Sequence, residues 1–275
     1  MNSPLHGSLP RAIGSTVVAL SCAAFSLTLG ACSPHSSSNS EIPSGFAQIQ
    51  AGTFQMGEVG VEEPVHTVTI SYPFWMGATE VTQAEYAALM GRNPSQFQGS
   101  EYPDSANRPV EQVSWHDARS YCKALTAQQS ARGAVPSGYE FRLPTEAEWE
   151  YACRAGTTTS WNVGNSLSCS QANHNFCIGK QTSVVGSYAP NAWGLYDMHG
   201  NVWEWCLDSW DESANYPSSA VSDPYVASGP HRVLRGGSWG GASGHCRAAD
   251  RGRREPGYTD DSVGLRVVCA PVRGR

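Results

Sequence analysis

Apolar and polar positions alternate through residues 46–57 (FAQIQAGTFQMG), around a Gly52-Thr53 step, and again through residues 65–76 (VHTVTISYPFWM). Period-two alternation bounded by Gly and Pro predicts two strands. The pattern then changes. Val81–Met90 reads as a helix: Thr82 is a candidate N-cap and Glu85, three residues on, completes a capping box. Residues 91–110 form a loop rich in Pro, Asn and Gly. Ser114 opens a second helix running through Leu125, with Asp117 at its third helical position. Pro144 and Thr145 start a third, TEAEWEYACRAG, closed by Gly156. Residues 157–275 read as short strands and loops punctuated by Gly, Pro and Asn, and no internal repeat is found. A few helices followed by a long irregular half predict an α+β domain, not an alternating α/β one.

The N-terminal end has a different character. Residues 1–11 carry one charge, Arg11, and residues 12–31 carry none. A basic region followed by an apolar run interrupted by Ser, Thr and Gly fits a cleaved signal peptide over 1–31 better than a membrane span. The run ends Leu29-Gly30-Ala31-Cys32, which resembles a bacterial lipobox and implies lipid on Cys32. An ordinary signal with an incidental Cys is the alternative. Six of the twelve residues from Ser33 to Ser44 are Ser, so residues 32–45 are expected to be a flexible tether. Ser33, directly after the lipid site, is consistent with outer-membrane sorting. The expected location is therefore exported and membrane-anchored, periplasm-facing or on the outer-membrane surface, with the membrane itself as one partner through Cys32. The domain proper is 46–275, enough chain for one sizeable core.

Composition narrows the choice. Nine Trp and 28 Gly, with few charges, indicate a loop-rich fold held by aromatic packing. Removal of residues 1–31 leaves 17 basic against 24 acidic residues, a balance of −7, and nothing favours a nucleic-acid partner. Seven Cys remain beyond Cys22 and Cys32, an odd number. In an oxidising compartment most should pair. The His residues are scattered with no i, i+4 pair, although His245 adjoins Cys246.

Five segments then occur in order: Ala51–Gly57 (AGTFQMG), Glu80–Tyr86 (EVTQAEY), Arg142–Gly156 (RLPTEAEWEYACRAG), Gly194–Trp205 (GLYDMHGNVWEW) and Arg235–Trp239 (RGGSW), with Gly264-Leu-Arg266 closing the domain. Together they resemble the formylglycine-generating enzyme, or sulfatase-modifying factor, family, which includes ergothioneine- and pyoverdine-pathway relatives. The resemblance covers residues 46–272. It implies a variant of the C-type lectin fold, low in regular secondary structure.

It also implies sites. Asp197 and Glu204 bracket a tight Gly-Asn turn, and a hard cation such as Ca²⁺ takes carboxylate and carbonyl oxygens together. The implied ligands are the Asp197 and Glu204 side chains with the Gly200 and Val202 carbonyls. A second calcium site would start at Asn173 and the His174 carbonyl, though the following loop is shorter than in the enzymes. The alternative is that Asp197 and Glu204 only cap turns. The family's enzymes hold copper between two thiolates after the Gly-Gly-Ser-aromatic motif. Here the first position is Gly241 and the second Cys246, which on another anchor of the motif is a structural half-cystine. Copper-dependent formylglycine generation is accordingly not expected. Trp203 and Ser238 match residues lining the oxygen pocket, or are simply core and turn residues. The resemblance implies bridges Cys122–Cys269 and Cys153–Cys246. Cys169 and Cys177 could close a short loop, leaving Cys206 unpaired.

The expected function is a calcium-stabilised binding or accessory protein of the cell envelope. One alternative is a noncanonical oxidoreductase or tailoring enzyme acting on a peptide Cys or small molecule. Another is a surface-displayed variable ligand-binding protein, presenting Gly240–His245 with Asp250, Gly252, Arg253 and Tyr258–Ser262 on loops.

Overall fold

A computed structural model describes residues 42–210 and 217–273, which lie in one compact unit. The expected signal peptide, Cys32 and most of the expected tether lie outside the described residues. The two alternating stretches become four strands. The first divides at Gln50-Ala51 into β1 (Phe46–Ile49) and β2 (Gly52–Glu58). The second starts earlier than expected and breaks near Pro73 into β3 (Glu62–Ile70) and β4 (Phe74–Gly77).

Three helices follow where capping chemistry placed them. They are α1 (Gln83–Met90), α2 (Trp115–Ala131) and, after β5 (Tyr139–Arg142), α3 (Glu146–Arg154). Each opens with a reciprocal box: Thr82 with Glu85, Ser114 with Asp117, Thr145 with Glu148. Two first-turn N–H groups that lack helical partners are satisfied each time. α2 runs six residues beyond the expected Leu125, because Thr126–Ala131 contains no breaker before Gly133. Ala155 ends α3 in the left-handed conformation.

The irregular half supplies β6 (Trp203–Trp210), β7 (Val221–Ser222), β8 (His231–Arg235), β9 (Gly252–Arg254), β10 (Val263–Gly264) and β11 (Val268–Pro271). Three sheets result, ordered β1-β4-β11-β5, β10-β6-β8-β9 and β2-β3-β7. The second sheet joins the segments Gly194–Trp205 and Arg235–Trp239. Glu204 of one stands opposite Arg235 of the other, and β10 pairs with β6 on the far side through Val263 and Trp203.

The core has two clusters. One surrounds Trp149, Phe74, Met76 and Ile70; the other surrounds Trp205, Tyr86, Phe141 and Leu265. All nine residues of α3 are buried, its charged ones included. Those charges are paired: Arg142 with Glu148 through two 2.7 Å bonds, and Glu150 with both Arg154 and Arg235. Buried pairs of this kind tolerate the loss of neither partner. Among the described residues, no helix is long and apolar enough to cross a membrane.

Candidate functional site

Three loops meet beside the paired motifs. The turn at 197–201 is left-handed at Asp197, Gly200 and Asn201. A Cβ at Gly200 would stand 2.3 Å from the Asn173 carbonyl oxygen, so the approach requires glycine. Backbone bonds tie the loops together: Gly200 N–H to Gly236 O (2.7 Å), Asn201 N–H to Asn173 O (2.8 Å) and Trp239 N–H to Asn201 O (2.9 Å). The Asn201 side-chain oxygen accepts from Ser183 N–H at 2.8 Å.

Buried charge gathers behind this turn. The Glu204 carboxylate accepts from Arg266 at 2.7 and 3.0 Å and from the Trp149 indole N–H at 2.7 Å. Arg266 also donates to the carbonyls of Gly77 and Tyr196, each at 2.9 Å. Asp197 Oδ2 accepts from Gly186 N–H at 2.6 Å, whereas its Oδ1 meets no donor. Neither carboxylate oxygen of the buried Glu80 meets an N–H or hydroxyl donor, and its carboxyl faces that of Asp197. Three carboxylates therefore face one guanidinium. Burial pushes the Glu80 carboxyl well above its ordinary range, and the neighbouring Asp197 and Glu204 charges add to that rise. Burial also pushes Asp197 up to about 6, with the Gly186 N–H and Arg266 opposing. Either protons or a cation must compensate such a cluster.

Two residues of the expected calcium set, Asp197 and Glu204, lie in this cluster. The Glu204 side chain is taken up by Arg266 and Trp149, and the buried carboxylate left without donors beside Asp197 is Glu80. Neither Glu80 nor Arg266 carries a sequence-based assignment, although Glu80 opens the segment Glu80–Tyr86 and Arg266 ends the closing Gly-Leu-Arg. In the second expected site, Asn173 Oδ1 is buried without a partner. The His174 carbonyl accepts from Cys177 N–H at 2.8 Å.

Past the Gly-Gly-Ser-Trp turn, Ser238 is buried and Trp203 half-buried. The Trp203 and His245 rings lie 6.4 Å apart, and His245 Nδ1 is 3.4 Å from Asp250 Oδ2. Gly241 closes a turn onto the Ser238 carbonyl at 3.0 Å. Cys246 lies beneath Gly237, where a Cβ would stand 2.5 Å from its sulfur. Burial pushes this thiol up to about 12. Trp239 packs between Phe97 (5.8 Å) and Phe176 (5.6 Å), the latter 47% exposed.

Of the three expected cysteine bridges, the structure forms one. Cys169 and Cys177 are joined by a disulfide. Cys122, Cys269, Cys153, Cys246 and Cys206 are buried and unbonded. Between Cys153 and Cys246 stands His199. Its ring lies 3.8 Å from Cys153 Sγ, and its Nδ1 bonds the Cys246 carbonyl at 2.8 Å. The expected Cys122–Cys269 bridge is not formed, although both thiols are buried in the same core cluster.

The profile of the sulfatase-modifying factor enzyme 1-like domain matches residues 34–271, and the chain belongs to that family. The formylglycine-generating enzyme of Streptomyces coelicolor is 30% identical over 82% of this chain and 88% of its own. The chaperone protein LppX of Paenibacillus barcinonensis is 28% identical over 87% of this chain and 94% of its own. The serine/threonine-protein kinase pkn1 of Chlamydia pneumoniae is 32% identical, but the match spans only 37% of that kinase. Among solved structures, Treponema denticola variable protein 1 superposes with a TM-score of 0.74 at 32% identity, over 82% of this chain and 95% of that one. PvdO from Pseudomonas aeruginosa superposes with a TM-score of 0.65 at 27% identity, over 82% and 93%. The α+β architecture, low in regular structure, is that of this family.

Proposed function

We propose that the chain is an exported lipoprotein whose domain acts as a calcium-stabilised binding or accessory protein in the cell envelope, not as a copper-dependent formylglycine-generating oxidase. One observation carries this reading: Gly241 stands at the first thiolate position and the Cys246 sulfur is buried beneath Gly237. Copper(I) held by sulfur needs converging, ionisable thiolates. What the surface offers instead is the half-buried Trp239 with the exposed Phe176 packed against it. Likeness to a chaperone protein and to a variable protein supports an accessory or ligand-binding role.

Calcium would hold the base of this surface. Asp197 and Glu80 supply buried oxygens without donors, and the Gly200 and Val202 carbonyls belong to the same turn. A divalent cation there supplies the positive charge that Arg266 alone does not.

The test is to incubate the full chain with Cu(I), oxygen and a Cys-x-Pro-x-Arg peptide. The peptide thiol should survive. Aldehyde formation would overturn the reading. Labelled palmitate should enter the wild type and stay off Cys32→Ala; equal labelling would refute the anchor.

A second reading, a tailoring enzyme on a small molecule, draws on one observation: the His245–Asp250 pair beside Trp203 is an acid–base couple at an open rim. Turnover lost in His245→Gln would support it.

A further inference from the structure

Loop 169–177 carries more chemistry than its disulfide. One ligand atom from each of Cys169, His174 and Cys177 falls within 4.8 Å of the other two. His174 is buried, 5% exposed, and no side chain bonds either ring nitrogen; the Ser168 backbone alone bears on it, outside regular hydrogen-bond geometry. A buried imidazole so weakly partnered loses much of its hydration uncompensated. Here it stands against two sulfurs, which while bonded to each other offer it nothing. Once that bond opens, two thiolates and one imidazole converge from a nine-residue segment whose backbone is already fixed. Cys177 N–H donates to His174 O at 2.8 Å, Asn175 N–H to Gly241 O at 2.7 Å and Phe176 N–H to Trp239 O at 2.8 Å.

We propose that Cys169, His174 and Cys177 form a redox-gated zinc site: a disulfide when oxidised, a three-ligand Zn²⁺ centre when reduced. Two sulfurs and one nitrogen suit this borderline-soft ion, and exposed Cys169 leaves the fourth tetrahedral position toward solvent. The step balances with a dithiol reductant. Its two thiols become a disulfide, the Cys169–Cys177 bond takes up two electrons and two protons, and Zn²⁺ then displaces both protons from sulfur. Because the residues between the ligands are bonded to Trp239 and Gly241, the state of this loop bears directly on the segment that follows the Gly-Gly-Ser-Trp turn.

The experiment compares the full chain as isolated with the chain reduced by dithiothreitol and freed of reductant without air. Both are titrated with Zn²⁺, and with Co²⁺ as a chromophoric probe, in excess Ca²⁺ to fill oxygen sites. The reduced chain should take up one ion, with thiolate-to-cobalt charge-transfer absorption. The oxidised chain should take up none at this site, although its five buried thiols are free. His174→Ala should weaken Zn²⁺ binding by more than roughly tenfold, a loss that removing a ligand's hydrogen-bond partner alone can produce. A readout on the wild type needs no variant: Zn²⁺ should protect Cys169 and Cys177 of the reduced chain from alkylation, as mapped by peptide mass. Equal uptake by both forms, no uptake on reduction, or alkylation unaffected by Zn²⁺ would each overturn the proposal.

Discussion

His199 Nδ1 lies 2.8 Å from the carbonyl oxygen of Cys246, while His199 Nε2 accepts the backbone N–H of Asn162 at 3.0 Å. The second bond fixes the proton on Nδ1, so the neutral ring clasps two loops at once. Burial, together with Arg154, pushes its pKa from 6.5 down to about 4, against the pull of the Cys246 carbonyl.

The clasp makes stability depend on pH with a definite sign. The unfolded chain takes a proton at His199 near 6.5, the folded chain only near 4. The contribution is full above 6.5 and drains as pH falls toward 4, a span on the order of 3 kcal/mol. Urea unfolding at stepped pH should show the wild type ahead of His199→Gln at pH 7 and the gap closing by pH 4. A gap that ignores pH would refute the clasp.

Arg266 and Glu204 are both fully buried and joined by two short bonds. Arg266→Met strands Glu204 and should cost about 3–5 kcal/mol. Pairing it with Glu204→Gln should recover part of that loss in urea unfolding. Additive losses in the double variant would show that the pair is not coupled.

Removal of calcium should lower the thermal midpoint. Calcium at a hundredfold excess over its dissociation constant stabilises by about 2.7 kcal/mol. EGTA should abolish that increment in the wild type, and Glu80→Gln or Asp197→Asn should lack it from the start. A chain without bound calcium by elemental analysis, and with a midpoint indifferent to EGTA, would sink the site.

Gly237 has a φ of +73°, and a Cβ there would stand 2.5 Å from Cys246 Sγ and 2.7 Å from the His245 carbonyl. Gly237→Ala should destabilise by about 2–4 kcal/mol. Adding Cys246→Ala should restore only part, because the His245 carbonyl is backbone. Full restoration in a denaturant titration would place all of the strain on the sulfur.

The sequence by itself determined the three helix starts, the α+β class and the family. The Thr82, Ser114 and Thr145 caps each reach a partner three residues away, so their geometry is contained in four consecutive residues. The same local reading found the tight turn at Gly200 and the missing thiolate at Gly241. Only the tertiary structure decided what Glu204 does. Its partners Arg266 and Trp149 lie 62 and 55 residues away, and Glu80 comes from a different part of the chain altogether. The cysteines divide in the same way. Cys169 and Cys177 are eight residues apart and closed a loop, whereas Cys153 and Cys246 stay unbonded, with His199 touching the sulfur of one and the carbonyl of the other, a contact that no spacing rule foretells. The physical reason is one of range. A cap or a turn is a bond along the chain, but a buried charge or thiol acquires its partner only when distant strands pack, and it is that packing which decides whether water, a guanidinium or a cation satisfies it.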